Sequence, residues 1–484
     1  MSDIALQPAH ALAEAIRRRE VSSRELLEVY LARVDALNPP LNAVVTLDPD
    51  GARMAADAAD ASLAGGDDVG PLHGVPMTVK DTYQTAGVRT TCGLPAWDHV
   101  PDHDADAVGR LRRAGAVIFG KTNTPAQAGD WQTYNAIFGT SNNPWDTARS
   151  TGGSSGGAAA AVATGMTGLE LGSDIGGSIR FPSAWCGVCG HKPTWGIVSQ
   201  AGHLPPAPGT LSATDLSVVG PLARDVEDLE IALGVLAGAA GHAARGWRLE
   251  LPAPRATKLG DVRLAFWLDD PAYPVDTEVR AVLEAAADAV RGAGAQVIDA
   301  RPAVVLTDVV RLYQQFLYPI LLSTMGKRSF ESMVTLADSL PDDDDRPLAR
   351  TARFATQRYR DWVFAGEKRE QLRALMAEYF VGVDALLMPV AMVPAIPHDH
   401  SDPFPERVIA VDGAVRPYTD LMAWVALATL THLPATVVPV GRTASGLPVG
   451  IQIVGPYLED RTTLAVGRLV ERLLGGFVPP PGVS

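Results

Sequence analysis

The chain is poor in cysteine. Cys92, Cys186 and Cys189 are the only three in 484 residues, too few for the disulfide framework of a secreted mini-domain. Cys186 and Cys189 have redox-pair spacing, but no second Cys or His pair nearby completes a zinc site. They read as buried small hydrophobes. Positive charge is also scarce: 41 Lys and Arg against 55 Asp and Glu leave a formal charge of -14. A nucleic-acid binder shows a basic stripe. Here the one compact basic run, Arg17, Arg18 and Arg19, is followed by Glu20 and reads as a solvated helix face. The four aspartates at 342–345 form an acidic loop without EF-hand spacing.

Long apolar runs are missing too. The most apolar stretch, residues 421–440, contains His432, Pro434 and Pro439, so it reads as a buried helix passing into a strand. No charged n-region precedes an apolar core at the N-terminus, as a signal peptide would require. The expectation is a cytoplasmic protein with no membrane and no nucleic-acid partner. No internal repeat is visible.

What the chain has in abundance is backbone-shaping residues, 46 Gly and 37 Pro. This points to many loops built close around something. Between the loops, residues 1–65 read as helical: Pro8 suits a first turn, and Ser22 with Glu25 forms a capping-box pattern before Leu26, Leu27, Tyr30, Leu31 and Val34. Residues 102–114 read as a helix stopped by Gly115. Short strands are expected at 75–79, 116–119, 262–268, 295–298, 384–388 and 436–440, and residues 300–375 read as mostly helical. Strand–helix–strand order implies parallel pairing in an α/β sheet.

Two familiar patterns mislead. Residues 115–122 (GAVIFGKT) match a phosphate loop, but AVIF is itself strand-like, so no bare amides are left to cradle phosphate. Residues 153–157 (GSSGG) match a nucleophile elbow. A loop-like stretch precedes them where an apolar strand is needed. His191, His203, His398, His400 and His432 leave that reading formally open.

The stronger signal is a pair of glycine–serine loops, residues 151–157 (TGGSSGG) and 172–182 (GSDIGGSIRFP). Glycine in a packed segment costs about 0.5–1 kcal/mol relative to alanine, so this density indicates backbone amides that must approach something. With residues 74–81 (GVPMTVKD), 120–125 (GKTNTP), 186–194 (CGVCGHKPT) and 446–454 (GLPVGIQIV), the chain resembles the amidase signature family of serine hydrolases. The likeness covers most of 20–235 and 380–475.

The resemblance implies an α/β fold, a central twisted mixed β-sheet covered on both faces by helices. Within one structural unit it implies four parts: an N-terminal helical segment (1–65), a core with the catalytic loops (66–236), a variable and mostly helical insertion shaping the pocket (237–375), and a C-terminal part completing the sheet (376–484). It also implies a Ser-Ser-Lys triad, with Lys80 as base, Ser154 as bridging serine after a cis peptide bond, and Ser178 as nucleophile. The backbone N–H groups of Ile175, Gly176, Gly177 and Ser178 would form the oxyanion hole. No cofactor and no metal are implied.

Each role has a physical requirement. Serine is a weak nucleophile until a neighbour takes its proton. Lysine can take it only when neutral, which means depressing its pKa by roughly three units, and burial can do that. One oxyanion donor contributes about 2.7–4 kcal/mol to the transition state. Asp174 and Arg180 read as scaffolding for the second loop, and Ser155 as a loop-forming serine. Gly129, Trp131 and Tyr134 are candidate substrate-binding residues. Trp195, the 202–209 loop and residues 313–318 add apolar candidates. Aryl or apolar amides fit such a lining, with carbamates and esters open to the same machinery. The expected partners are a small-molecule amide and water, in a monomer or homodimer. The alternatives are a glutamine-hydrolysing amidotransferase subunit for misacylated tRNA, and a silent binding protein, against which the presence of all three triad residues speaks.

Overall fold

The structure, a computed structural model, describes residues 4–341, 343–402 and 404–483. Asp342, the first aspartate of the acidic loop, lies outside them. Of the remainder, Asp344 and Asp345 pair with Arg346 and Arg311 at 2.7 and 2.6 Å.

The N-terminal region carries helices α1 (Ala9–Arg17), α2 (Ser23–Leu41) and α3 (Pro49–Gly65). The Ser22–Glu25 capping box opens α2, with the Glu25 amide and the Ser22 hydroxyl 3.0 Å apart. The region is not wholly helical. Strand β1 (Val44–Leu47) interrupts it and pairs antiparallel with β3 (Val117–Thr122), which pairs in parallel with β2 (Pro76–Lys80). Four residues are too few to show a strand's alternation, and the β-branched pair Val44 and Val45 is the one local hint. Helix α4 (Asp106–Arg113) stops before Gly115, whose φ is +95° and whose added Cβ would lie 2.6 Å from His73 Cα. The phosphate-loop pattern is thus a helix stop followed by the buried strand β3.

The main sheet has eight strands: β4 (Glu170–Asp174), β5 (Cys189–Lys192), β6 (Val218–Ala223), β7 (Arg263–Phe266), β8 (Gln296–Val297), β9 (Ala385–Pro389), β10 (Ala435–Arg442) and β11 (Pro448–Val454). Their order is β8-β7-β9-β11-β10-β5-β6-β4. Only β8–β7 and β7–β9 are parallel; the other five pairs are antiparallel. The parallel expectation therefore holds at one edge, where α8 (Thr277–Gly292) makes the crossover between β7 and β8.

Helices cover both faces. At Val437 the β10 side chain meets α6 (Arg180–Cys186) across Gly450, whereas Thr436 and Val438 meet α14 (Asp460–Leu474) at Gly467. Alternate residues of one strand face opposite ways, so α6 and α14 lie on opposite faces. The remaining helices are α5 (Gly156–Ala163), α7 (Val226–Leu236), α9 (Leu306–Leu321), α10 (Lys327–Ser339), α11 (Pro347–Ala355), α12 (Tyr359–Gly382) and α13 (Ala423–Leu430). Every residue of α5 and α13 is buried. The apolar 421–440 stretch becomes α13 and the start of β10. Among the described residues no helix is long and apolar enough to cross a membrane.

Candidate active site

Lys80 ends β2, a strand buried along its whole length. Its Nζ donates to Ser154 Oγ at 2.7 Å and to Ser173 Oγ at 3.0 Å. Burial removes water from the ammonium form and pushes the pKa down to about 7, against the opposing pull of Cys92, Asp174 and Glu170. Half the lysines are then neutral near pH 7, the state a proton acceptor needs. The adjacent Asp81 does not pair with Lys80. It accepts from the Thr91 hydroxyl at 2.5 Å and lies 4.0 Å from Lys121. Lys121 in turn donates to the Tyr83 carbonyl and to Thr85 and Thr90, fixing the turn that follows Lys80.

Ser154 follows a cis Gly153–Ser154 peptide bond in the first glycine–serine loop. Gly153 has no room for a side chain: a Cβ there would sit 2.4 Å from the Asp130 carbonyl. The neighbouring Ser155 is buried, its hydroxyl aimed at the Ser173 carbonyl at 3.3 Å. The elbow pattern fails here, because loop rather than strand leads into it. The Ser155 amide donates to the Ser178 carbonyl at 3.1 Å, tying the two loops together.

Ser178 lies in the turn between β4 and α6. No hydrogen bond to its Oγ is found among the described residues, and the side chain borders the same cavity as Ser154 and Ser173. That cavity has a volume of about 770 Å³. Two aromatic side chains pin the preceding loop. The Tyr313 hydroxyl donates to the Ile175 carbonyl at 2.7 Å, and Trp131 Nε1 donates to the Gly176 carbonyl at 2.7 Å. The amides of Ile175, Gly176 and Ser178 have no acceptor among the described residues. The Gly177 amide differs from expectation. It donates to Asp174 Oδ1 at 2.9 Å, so it is committed to the loop.

Asp174 organises that loop. Burial alone would raise its carboxyl, but the Arg180 guanidinium at 2.9 Å and the backbone N–H donors hold it at about 2. The amides of Ile179 and Arg180 also donate to Oδ2. Arg180, fully buried, reaches onward to the Val425 carbonyl, Thr429 and Gln452. Asp174→Asn should cost about 3–5 kcal/mol, since it leaves a buried guanidinium uncompensated. A fall in the denaturation midpoint measures it.

Of the candidate substrate residues, Gly129 and Trp131 line the cavity. Tyr134 does not. Its hydroxyl accepts from Arg407 at 2.7 Å and its ring stacks on His400. Trp195 stacks on His432 and donates to the carbonyl of the lining residue Thr214, without itself lining the cavity. From the 202–209 loop, His203, Pro205 and Pro206 reach the cavity, and α9 contributes Phe316, Leu317 and Tyr318. Sequence reasoning missed Ser173 as a second hydroxyl on Lys80, although it sits inside the quoted 172–182 loop. It also missed Tyr313 as a loop anchor, because that contact joins residues far apart in the chain.

A sheet sheathed by helices presents hydroxyls and unengaged amides to one cavity, and the family match makes this the frame of a hydrolase acting on amides. The chain belongs to the amidase signature family: the family model described as Amidase matches residues 25–464. It is 35% identical to a glutamyl-tRNA(Gln) amidotransferase subunit of Roseiflexus sp. (strain RS-1), over 95% of each chain. Among solved structures, a 6-aminohexanoate cyclic dimer hydrolase superposes with a TM-score of 0.80 at 28% identity over 99% of each chain. An amidase superposes at 0.78 with 29% identity, over 97% of this chain and 100% of the other.

Proposed function

We propose that this protein is a self-contained hydrolase of small apolar or aryl amides, working through an acyl-enzyme on Ser178. Neutral Lys80 takes the Ser154 proton while Ser154 takes that of Ser178. The Ser178 oxygen adds to the amide carbonyl. The amides of Ile175, Gly176 and Ser178 stabilise the resulting oxyanion. Ser154 then passes a proton to the leaving nitrogen, because amines leave poorly as anions, and recovers one from Lys80. The C–N bond breaks; water then gives a proton to the same Ser154–Lys80 relay as its oxygen adds to the acyl carbon, and the proton returns to Ser178 as the acid leaves.

The observation that carries the apolar substrate is the charge inventory of the cavity. Among its described lining residues there is no Lys and no Arg. The two carboxylates there are already neutralised, Asp130 by Arg407 and Asp215 by Arg369, each at 2.6 Å. Phe316, Leu317, Trp362, Phe404 and Met422 are among the apolar side chains that line it. Free glutamine brings an α-carboxylate that would be buried without a cation, at a cost of several kcal/mol.

The amidotransferase reading is favoured by the 35% identity to the Roseiflexus protein. It requires glutaminase activity and partner subunits. The two readings separate on the purified chain assayed against glutamine, an alkyl amide, an anilide, a carbamate and an ester. The apolar amide should exceed glutamine in kcat/KM by on the order of 10²-fold or more. Glutamine as the better substrate would overturn the proposal.

A further inference from the structure

Beyond the Lys80–Ser154–Ser178 set, one cavity-lining side chain has a buried polar atom without a partner. His203 is 9% exposed, and among the described lining residues its Nε2 alone is buried with no hydrogen bond. The backbone places it deliberately. Tyr83 and His203 form a β-bridge, the Gln84 amide donates to the Gly202 carbonyl at 3.0 Å, and the Leu204 amide donates to the Thr82 carbonyl at 2.7 Å. Residue 203 is thus pinned beside the turn that leaves Lys80. The Tyr83 ring meets the imidazole edge-on at 5.0 Å, and the Tyr83 hydroxyl is itself fixed to the Gly172 carbonyl at 2.6 Å.

A neutral imidazole carries one N–H and one lone pair. The Pro205 backbone raises the pKa of the ring, as a carbonyl acceptor does, which assigns the N–H to Nδ1 and leaves the lone pair on the unpartnered Nε2. Burial, and the Lys80 charge nearby, push the pKa down to about 3. The ring therefore stays neutral and acceptor-only at Nε2 throughout the working range, and it is too weak a base to compete with Lys80.

An unpaired buried acceptor is costly unless a ligand satisfies it. It stands on the Lys80–Ser154 side of the cavity, where the leaving group is protonated. We propose that His203 Nε2 accepts a hydrogen bond from the N–H of the scissile amide, making His203 a specificity-determining residue that favours N–H amides over esters. This rests on the hydrolase reading above. The N–H becomes a stronger donor as the nitrogen gains its proton, so the contact tightens toward the transition state.

The test compares an anilide with the phenyl ester of the same acid, on wild type, His203→Phe and His203→Gln. His203→Phe should lower the anilide-to-ester ratio of kcat/KM about tenfold, the loss expected for one buried hydrogen bond. His203→Gln, which keeps an acceptor oxygen, should restore part of it. A ratio unchanged in His203→Phe, with both substrates slowed equally, would mean a packing role and overturn the proposal. A wild type that turns over neither substrate would overturn the hydrolase reading as well, so the two failures are distinguishable.

Discussion

Ser178→Ala is expected to lower kcat on the apolar amide by on the order of 10⁴–10⁶-fold, the loss seen when a serine hydrolase loses a member of its relay. The fold should survive. The Ser178 hydroxyl makes no hydrogen bond among the described residues, and the backbone carbonyl that holds the Ser155 amide is retained. The thermal midpoint should therefore stay at the wild-type value, while the acyl-enzyme mass expected of the wild type during turnover of the amide should be absent. An acyl adduct that persists in the variant, on Ser154 or Ser155, would show that the nucleophile has been misassigned.

Lys80→Met is the second large effect, and it has two readouts of opposite sign. Wild-type log kcat/KM should rise with slope one as pH approaches about 7 and then level, because the amine must lose its proton to act. The variant should lose that limb together with several orders of magnitude in rate. A wild-type rate that falls steadily from pH 5 to 8 is incompatible with a lysine base. Stability moves the other way. The folded pKa lies below the unfolded value near 10.5, so the unfolded chain binds the extra proton between about 7 and 10.5. The resulting penalty is absent above the upper limit, grows as pH falls, and is complete below about 7, where it reaches on the order of 5 kcal/mol. Methionine has no such penalty and forfeits two hydrogen bonds of about 1 kcal/mol each. The variant should therefore withstand more denaturant than wild type at pH 7 and below, while turning over almost nothing.

The glycine–serine loops and the end of β2 were readable because their chemistry is local. A run such as GSDIGGS states its backbone requirements within seven residues. Strand pairing was less readable. The expected strands at 262–268 and 295–298 do form a parallel edge, but β4, β5, β6 and β11 had no distinct alternation, being buried on both faces. Their antiparallel order depends on partners distant in the chain. The same distance hid the contacts that tune the site. The Gly177 amide looked free because the capture by Asp174 is a matter of side-chain direction. Tyr134 looked like a pocket residue because the arginine that holds it, Arg407, lies 273 positions away.

Helix α9 joins two roles that are usually treated as separable. Its Tyr313 hydroxyl steadies the carbonyl of Ile175, and one turn further Phe316 and Leu317 face the cavity. The apolar wall of the cavity and the anchor of the Ile175 carbonyl are therefore mounted on one helix. Evolution, or an engineer grafting a new helix here, cannot treat it as an interchangeable part. A graft that reshapes the apolar wall must keep a hydroxyl at position 313, or the loop that carries Ile175 loses its anchor.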